Sequence, residues 1–201
     1  MTARLGLAVL FAALSFVPAH AASLSGPALG AALRQGGYVL VVRHTNAPMQ
    51  APTRAEAEPG NTGLERQLDA KGRADAQAIG AGLKRLKVRV GRVYSSPAFR
   101  ALQTVQLAGL TSPMVAEQLS EGGQSMAATA AADVGAWLRS KAAEAPPPGA
   151  DTVIVTHVPN LRAAFPVQPD VAAGEALVLH PDGKGGAELV GRIKVGDWAG
   201  L

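Results

Sequence analysis

The chain has 201 residues, of which 48% are hydrophobic, 17% charged and 4% aromatic, with a formal net charge of +4 and no cysteine. Without cysteine, disulfides, thiolate metal sites, a cysteine nucleophile and a lipid-modified N-terminal cysteine are excluded. The few aromatics and the thinly spread positive charge argue against a nucleic-acid surface. The one basic cluster, residues 84–89, reads as the solvated end of a helix.

Residues 1–21 have the three parts of a secretory leader. Arg4 supplies the positive start, residues 5–17 form an apolar run too short to span a bilayer, and Ala19-His20-Ala21 suits cleavage. The expected mature protein begins near Ala22 and is periplasmic or secreted. Residues 22–201 are enough for one domain with its own core.

A short helix at 25–33 leads to Gly36-Gly37 and then to the aliphatic run Tyr38-Val39-Leu40-Val41-Val42, which stops at Arg43-His44. Such a run between glycines and a polar end reads as a strand buried on both faces, as in parallel sheets. Ligands bind beyond the carboxyl ends of such strands, so Arg43 and His44 stand where a site belongs. Residues 45–66 form a long Pro-, Ala-, Glu- and Gly-rich connection leaving from that end, fit to cover a ligand.

Residues 68–86 read as a helix capped by Asp69, with Ala74, Ala78, Ile79, Leu83 and Leu86 as its apolar stripe. Gly72, Gly80 and Gly82 lower its propensity, and their small size is expected to let the helix approach a sheet closely. A second strand covers 90–94. Ser96-Pro97 then signals a helix start, with Ser96 as cap and Pro97 first, placing Arg100 in the first turn. A basic side chain beside the positive end of a helix makes sense if an anion binds there.

Residues 111–123 look irregular. Residues 124–145 form an Ala-rich helix that ends at a stiff Pro-rich connector. Residues 151–156 form another buried strand, and it runs into His157. A short helix at 161–165 and a hairpin of 175–180 with 187–193 complete the chain.

Two of the three histidines beyond the leader, His44 and His157, thus close aliphatic strands at one sheet edge. With Arg43 and Arg100 they form a pocket for a dense anion, which phosphate fits best. A histidine placed there can act as a nucleophile.

These stretches carry a family resemblance. Val41-Val42-Arg43-His44, Gln67-Leu68-Asp69-Ala70-Lys71-Gly72-Arg73-Ala74, Tyr94-Ser95-Ser96-Pro97-Ala98-Phe99-Arg100-Ala101 with Thr104, and Val155-Thr156-His157 occur in order. Together they resemble the histidine phosphatase superfamily, from about Val39 to Ile193. The resemblance implies an α/β fold: a three-layer αβα sandwich with a mostly parallel central sheet, phosphoglycerate-mutase-like. It implies a phosphomonoesterase that needs no cofactor and no metal. His44 matches the histidine that becomes phosphorylated, and Arg43, Arg100 and His157 match the groups that hold the phosphoryl oxygens. A protonated His157 is expected to help stabilise their charge.

The family also needs a carboxylic acid to protonate the leaving group. Leu119-Ser120-Glu121 matches the usual place, so Glu121 is the first candidate. Glu117 is second, and Glu56 or Glu58 in the covering loop third. Thr45 stands where many members have glycine, so Thr45 and Asn46 are candidate substrate contacts. Ser96 and Asn160 read as turn and cap residues, and His180 as structural.

A large-capped phytase-like branch is excluded by length, and a glycolytic mutase is disfavoured by the leader. The expected partner is a small phosphorylated substrate. Nucleic acid and a membrane span after leader cleavage are not expected, and the oligomeric state is not legible. The alternative is a relative that binds phosphorylated envelope components without catalysis, or acts narrowly on protein phosphohistidine. The acid discriminates between them.

Overall fold

The computed structural model describes residues 23–120, 128–166, 168 and 170–201, with side chains from 133 onward in the second segment. The expected leader lies outside these residues. The helices are α1 (Gly26–Gln35), α2 (Ala70–Arg85), α3 (Phe99–Leu107), α4 (Ala128–Ala143) and α5 (Val158–Ala164). The strands are β1 (Val39–Arg43), β2 (Val90–Ser95), β3 (Met114–Val115), β4 (Asp151–Thr156), β5 (Ala176–Pro181) and β6 (Ala187–Ile193).

One six-stranded sheet has the order β3-β2-β4-β1-β5-β6. The pairs β1–β4, β2–β4 and β2–β3 are parallel, whereas β5 adds antiparallel to β1 and β6 to β5. The expected hairpin therefore extends the parallel sheet as an antiparallel edge. Alternation of side chains along β1 divides the core into two layers. Leu40 and Val42 face α1, α2 and α3 together with Val153 and Val155. Val39 and Val41 face α4 and α5 together with Ile154, Leu138 and Leu161. These are the layers of an αβα sandwich, and both faces of β1 and β4 are dry. Burying each such aliphatic side chain contributes about 1.5–3 kcal/mol.

Several elements differ from the sequence reading. The short helix after His157 begins at once, at Val158, because Pro159 occupies its first turn without a missing bond. The stretch after Thr111 holds the edge strand β3 and a 3-10 turn at Glu117–Leu119. In α2 the buried face is Asp75, Ala76, Ile79 and Leu83, and Ala74 is exposed. Asp75 tolerates that face because Lys71 Nζ donates to its carboxylate at 2.6 Å.

The glycines of α2 do mark close approaches, but to loops and helices rather than to the sheet. A Cβ at Gly72 would lie 2.0 Å from the Asn46 carbonyl oxygen, and one at Gly80 would lie 2.3 Å from that of Ala108. Asp69 caps the helix as expected, its Oδ1 accepting the Gly72 N–H at 2.7 Å. The chain leaving β1 is thereby held against the start of α2. Among the described residues no helix is long and apolar enough to cross a membrane.

Candidate active site

The register of the two central parallel strands builds the site. Arg43 pairs with Thr156, so the next residues, His44 and His157, emerge side by side from the same edge. The His44 N–H continues the ladder to the Thr156 carbonyl at 2.9 Å. The two imidazole rings lie 5.1 Å apart between centroids, and both are buried. Arg100 arrives from the first turn of α3 and is itself buried, 6% exposed.

Arg100 ties the histidines together. Its Nε donates to His44 Nε2 at 3.3 Å, and its Nη2 lies 3.2 Å from His157 Nδ1. His44 Nδ1 lies 2.7 Å from the Thr45 carbonyl. A carbonyl only accepts, so Nδ1 carries the proton and Nε2 presents its lone pair. His157 has the opposite tautomer. Its Nδ1 accepts from Arg100, and its Nε2–H donates to Ser96 Oγ at 2.8 Å.

Both rings are neutral. Burial, joined by repulsion from Arg100, Arg43 and Arg66, overrides the Thr45 carbonyl and pushes His44 down to about 3. Burial, then Arg100, His44, Arg66 and Arg43, pushes His157 down to about 2. The expected protonated His157 is thus not the form this arrangement favours, because a cation there would lose its hydration to burial and be repelled by the arginines around it. A neutral His44 with a fixed tautomer is a competent nucleophile.

Arg43 ends β1 next to His44, its charge reaches both histidines, and its Nη1 donates to the Val171 carbonyl at 2.8 Å. Arg66, at the end of the covering loop, is a member of the site that the sequence reading misses. Its Nε and Nη2 donate to the carbonyls of Pro48 and Ala47 at 2.6 and 2.9 Å, and its charge reaches both histidines. Nothing local marks it, since only the loop's return past β1 brings it there.

Thr45 and Asn46 are placed differently from expectation. Thr45 is fully buried, and its hydroxyl faces Thr104 Oγ1 at 3.2 Å in the core. Its contribution to the site is its carbonyl. The Asn46 amide donates to Asp69 Oδ2 at 2.6 Å and so helps to fix α2. Ser96 does more than start a turn. Its Oγ accepts the Ala98 N–H at 3.2 Å as well as the His157 bond, while α3 itself begins at Phe99.

Of the acid candidates, Glu121 lies outside the described residues. Glu117 is exposed and accepts from Ser120 Oγ at 3.2 Å. Glu58 is committed to Arg73 and Gln103 at 2.9 and 2.7 Å. Glu56 is solvated and held ionised by the Thr53 side chain and backbone, the wrong form for a proton donor. Asn160 is buried, and its amide reaches the carbonyls of Leu119 and Ser120 at 2.7 and 3.2 Å. It therefore anchors the residue that precedes Glu121 in sequence. His180 is exposed and packs on Tyr38 with ring centroids 5.3 Å apart, away from the site.

The sequence pattern of the histidine phosphatase superfamily (branch 1) matches residues 39–157, from β1 to the second histidine. The chain belongs to the histidine phosphatase superfamily. That membership makes it a phosphatase. Solved structures with the same fold include the protein histidine phosphatase SixA complexed with tungstate, 20% identical with a TM-score of 0.58, covering 79% of this chain and 97% of that one. A SixA from Agrobacterium tumefaciens described as a putative phosphohistidine phosphatase is 19% identical, with a TM-score of 0.54 and coverage of 79% and 98%. Phosphoserine phosphatase from Entamoeba histolytica, in complex with 3-phosphoglyceric acid, is 14% identical, with a TM-score of 0.54 and coverage of 78% and 96%. No curated protein sequence matches the chain. The shared fold agrees with the architecture seen here, phosphoglycerate-mutase-like with a mostly parallel centre.

Proposed function

We propose that this histidine phosphatase is an exported phosphomonoesterase that works through a phosphohistidine on His44, with Glu121 as general acid. The observation that carries the reading is the state of His44. It is neutral, its Nδ1–H is spent on the Thr45 carbonyl, and its Nε2 lone pair faces the Arg100 guanidinium. A phosphate ester entering along Arg100 and Arg43 takes over the Arg100 Nε–H that His44 Nε2 accepts, which frees that lone pair and brings phosphorus to it.

Nε2 attacks phosphorus, the P–O ester bond breaks, and the leaving oxygen takes a proton from Glu121. The guanidinium groups meet the equatorial oxygens as charge spreads over them. The phosphate offsets the arginine repulsion that adds to burial in keeping His157 neutral, so a substrate arriving as the monoanion can pass its proton to His157 Nδ1 and gain a donor there. Water, deprotonated by the Glu121 carboxylate, then attacks phosphorus and breaks the P–N bond. Inorganic phosphate leaves, and the acid is restored.

Purified protein lacking residues 1–21 is assayed on a panel of alkyl and aryl phosphates. His44→Ala is expected to remove turnover together with an acid-labile, alkali-stable phosphoenzyme. Glu121→Gln is expected to slow alkyl esters by roughly a hundredfold or more and aryl esters far less, because an activated leaving group needs little protonation. Equal slowing of both classes sinks Glu121 as the acid, and surviving turnover in His44→Ala sinks the phosphohistidine. Protein phosphohistidine is the second substrate reading, supported by the names of the SixA structures that share the fold. It gains if a phosphohistidine peptide alone is hydrolysed. Export rests on the leader, and N-terminal sequencing of protein from fractionated cells checks it: an intact Met1 in the cytoplasm would be fatal to it.

A further inference from the structure

One buried charge near the pocket has no part in the mechanism above. Glu175 stands just before β5 and is 1% exposed. Its Oε1 accepts from Arg192 Nε at 2.8 Å, and its Oε2 accepts the Ala172 N–H at 2.7 Å. Arg192 continues through Nη2 to the Asp170 carbonyl at 3.2 Å. The pair thus grips the backbone on both sides of Val171. Val171 is the residue whose carbonyl takes Arg43 Nη1 at 2.8 Å. The same turn is stitched to the strand end, since the Arg43 N–H meets the Glu175 carbonyl at 3.0 Å and the Gly174 N–H meets the Arg43 carbonyl at 3.1 Å.

We propose that Glu175 and Arg192 are a positioning pair for Arg43. They fix the Val171 carbonyl, and that carbonyl holds the guanidinium in the orientation that receives phosphoryl oxygens. The inference rests on the anion-binding role given to Arg43 in the proposed function. A buried ion pair is weak support for stability, because desolvation offsets much of its attraction. Arg43, by contrast, ends a strand on a long stem with many rotamers. A planar fork must be oriented before it can meet a tetrahedral anion on two oxygens. A carbonyl held at one end of the fork does that, provided the carbonyl itself cannot move. Neither Glu175 nor Arg192 needs to touch the substrate.

The test measures tungstate binding to the whole chain by calorimetry, which needs no turnover. Glu175→Gln is expected to weaken tungstate roughly tenfold in the otherwise native chain and not at all in an Arg43→Ala background, the coupling expected of groups in one network. Arg192→Gln, at a partly exposed side chain, should show the same pattern and decides the matter if Glu175→Gln does not fold. Unchanged affinity in the folded variant, or an equal loss in both backgrounds, overturns the pairing while leaving the anion pocket intact. If the native chain itself fails to bind tungstate, the pocket reading falls and this inference with it.

Discussion

At the scale of single residues, the site is governed by which atom of each imidazole holds the proton. The Thr45 carbonyl, which only accepts, decides it for His44, and the Arg100 guanidinium, which only donates, decides it for His157 and leaves the Nε2–H to Ser96. A serine hydroxyl can donate or accept, so Ser96 Oγ follows the tautomer that Arg100 sets and accepts the His157 Nε2–H as well as the Ala98 N–H. Ser96→Ala would leave the Nε2–H of a fully buried ring without that acceptor, at a cost of about 1–3 kcal/mol. It would also remove the contact that steadies the ring whose Nδ1 accepts from Arg100. We expect kcat/KM on an aryl phosphate to fall by roughly tenfold or more, with Ser96→Thr recovering most of it. A drop in melting temperature with kcat/KM unchanged would return Ser96 to the turn role that its place before Pro97 suggests.

Among the elements, the contact of α2 with the chain leaving β1 is a tight junction close to His44. Gly72 lies where any Cβ would overlap the Asn46 carbonyl, and Asn46 is two residues from His44. Alanine is worth up to about 1 kcal/mol more than glycine inside a free helix. Here overpacking opposes it, at about 1–3 kcal/mol. Gly72→Ala should therefore lower the melting temperature by several degrees and reduce activity together, as followed by circular dichroism and a phosphatase assay. A raised melting temperature would show that the junction is slack.

The same junction shows what was legible from sequence. β1 and β4 could be read because both are aliphatic runs that end in a histidine, and α2 because Asp69 stands where a cap belongs. The pairing of Arg43, His44, Arg100 and His157 followed from placing strand ends at one edge. What escaped were side-chain directions and distant contacts. Thr45 turns inward to Thr104, Asn46 turns to Asp69, and Arg66 is returned to the site by a loop without periodicity. Asp75 hid the true face of α2, because a carboxylate in a stripe reads as solvent until its lysine is seen. The two-residue β3 has no run long enough to alternate.

Across the whole molecule, buried groups at opposite ends of the central strands β1 and β4 give stability opposite responses to pH. At the carboxyl end, His44 and His157 titrate at about 3 and about 2 in the fold, against 6.5 unfolded. Below 6.5 the unfolded chain takes up protons that the folded site refuses, so their contribution is full above 6.5 and is lost as pH falls toward those values. At the amino end, Asp151 is fully buried, and burial pushes its carboxyl up from 3.8 to about 7, against the Tyr38 N–H that it accepts at 2.9 Å. Here the fold keeps a proton that the unfolded chain has lost. The contribution of Asp151 is full below 3.8 and is lost as pH rises through about 7. Two histidines outweigh one aspartate between those limits, so stability should climb with pH to about 7 and then level. Asp151→Asn retains an oxygen for the Tyr38 N–H and removes the charge that costs stability. That variant should therefore melt a few degrees above the native chain at about pH 8 and close to it at about pH 4, in thermal scans run in phosphate-free buffer. A variant that gains nothing in alkali, or gains equally at both pH values, would mean that Asp151 is not the group holding back stability there.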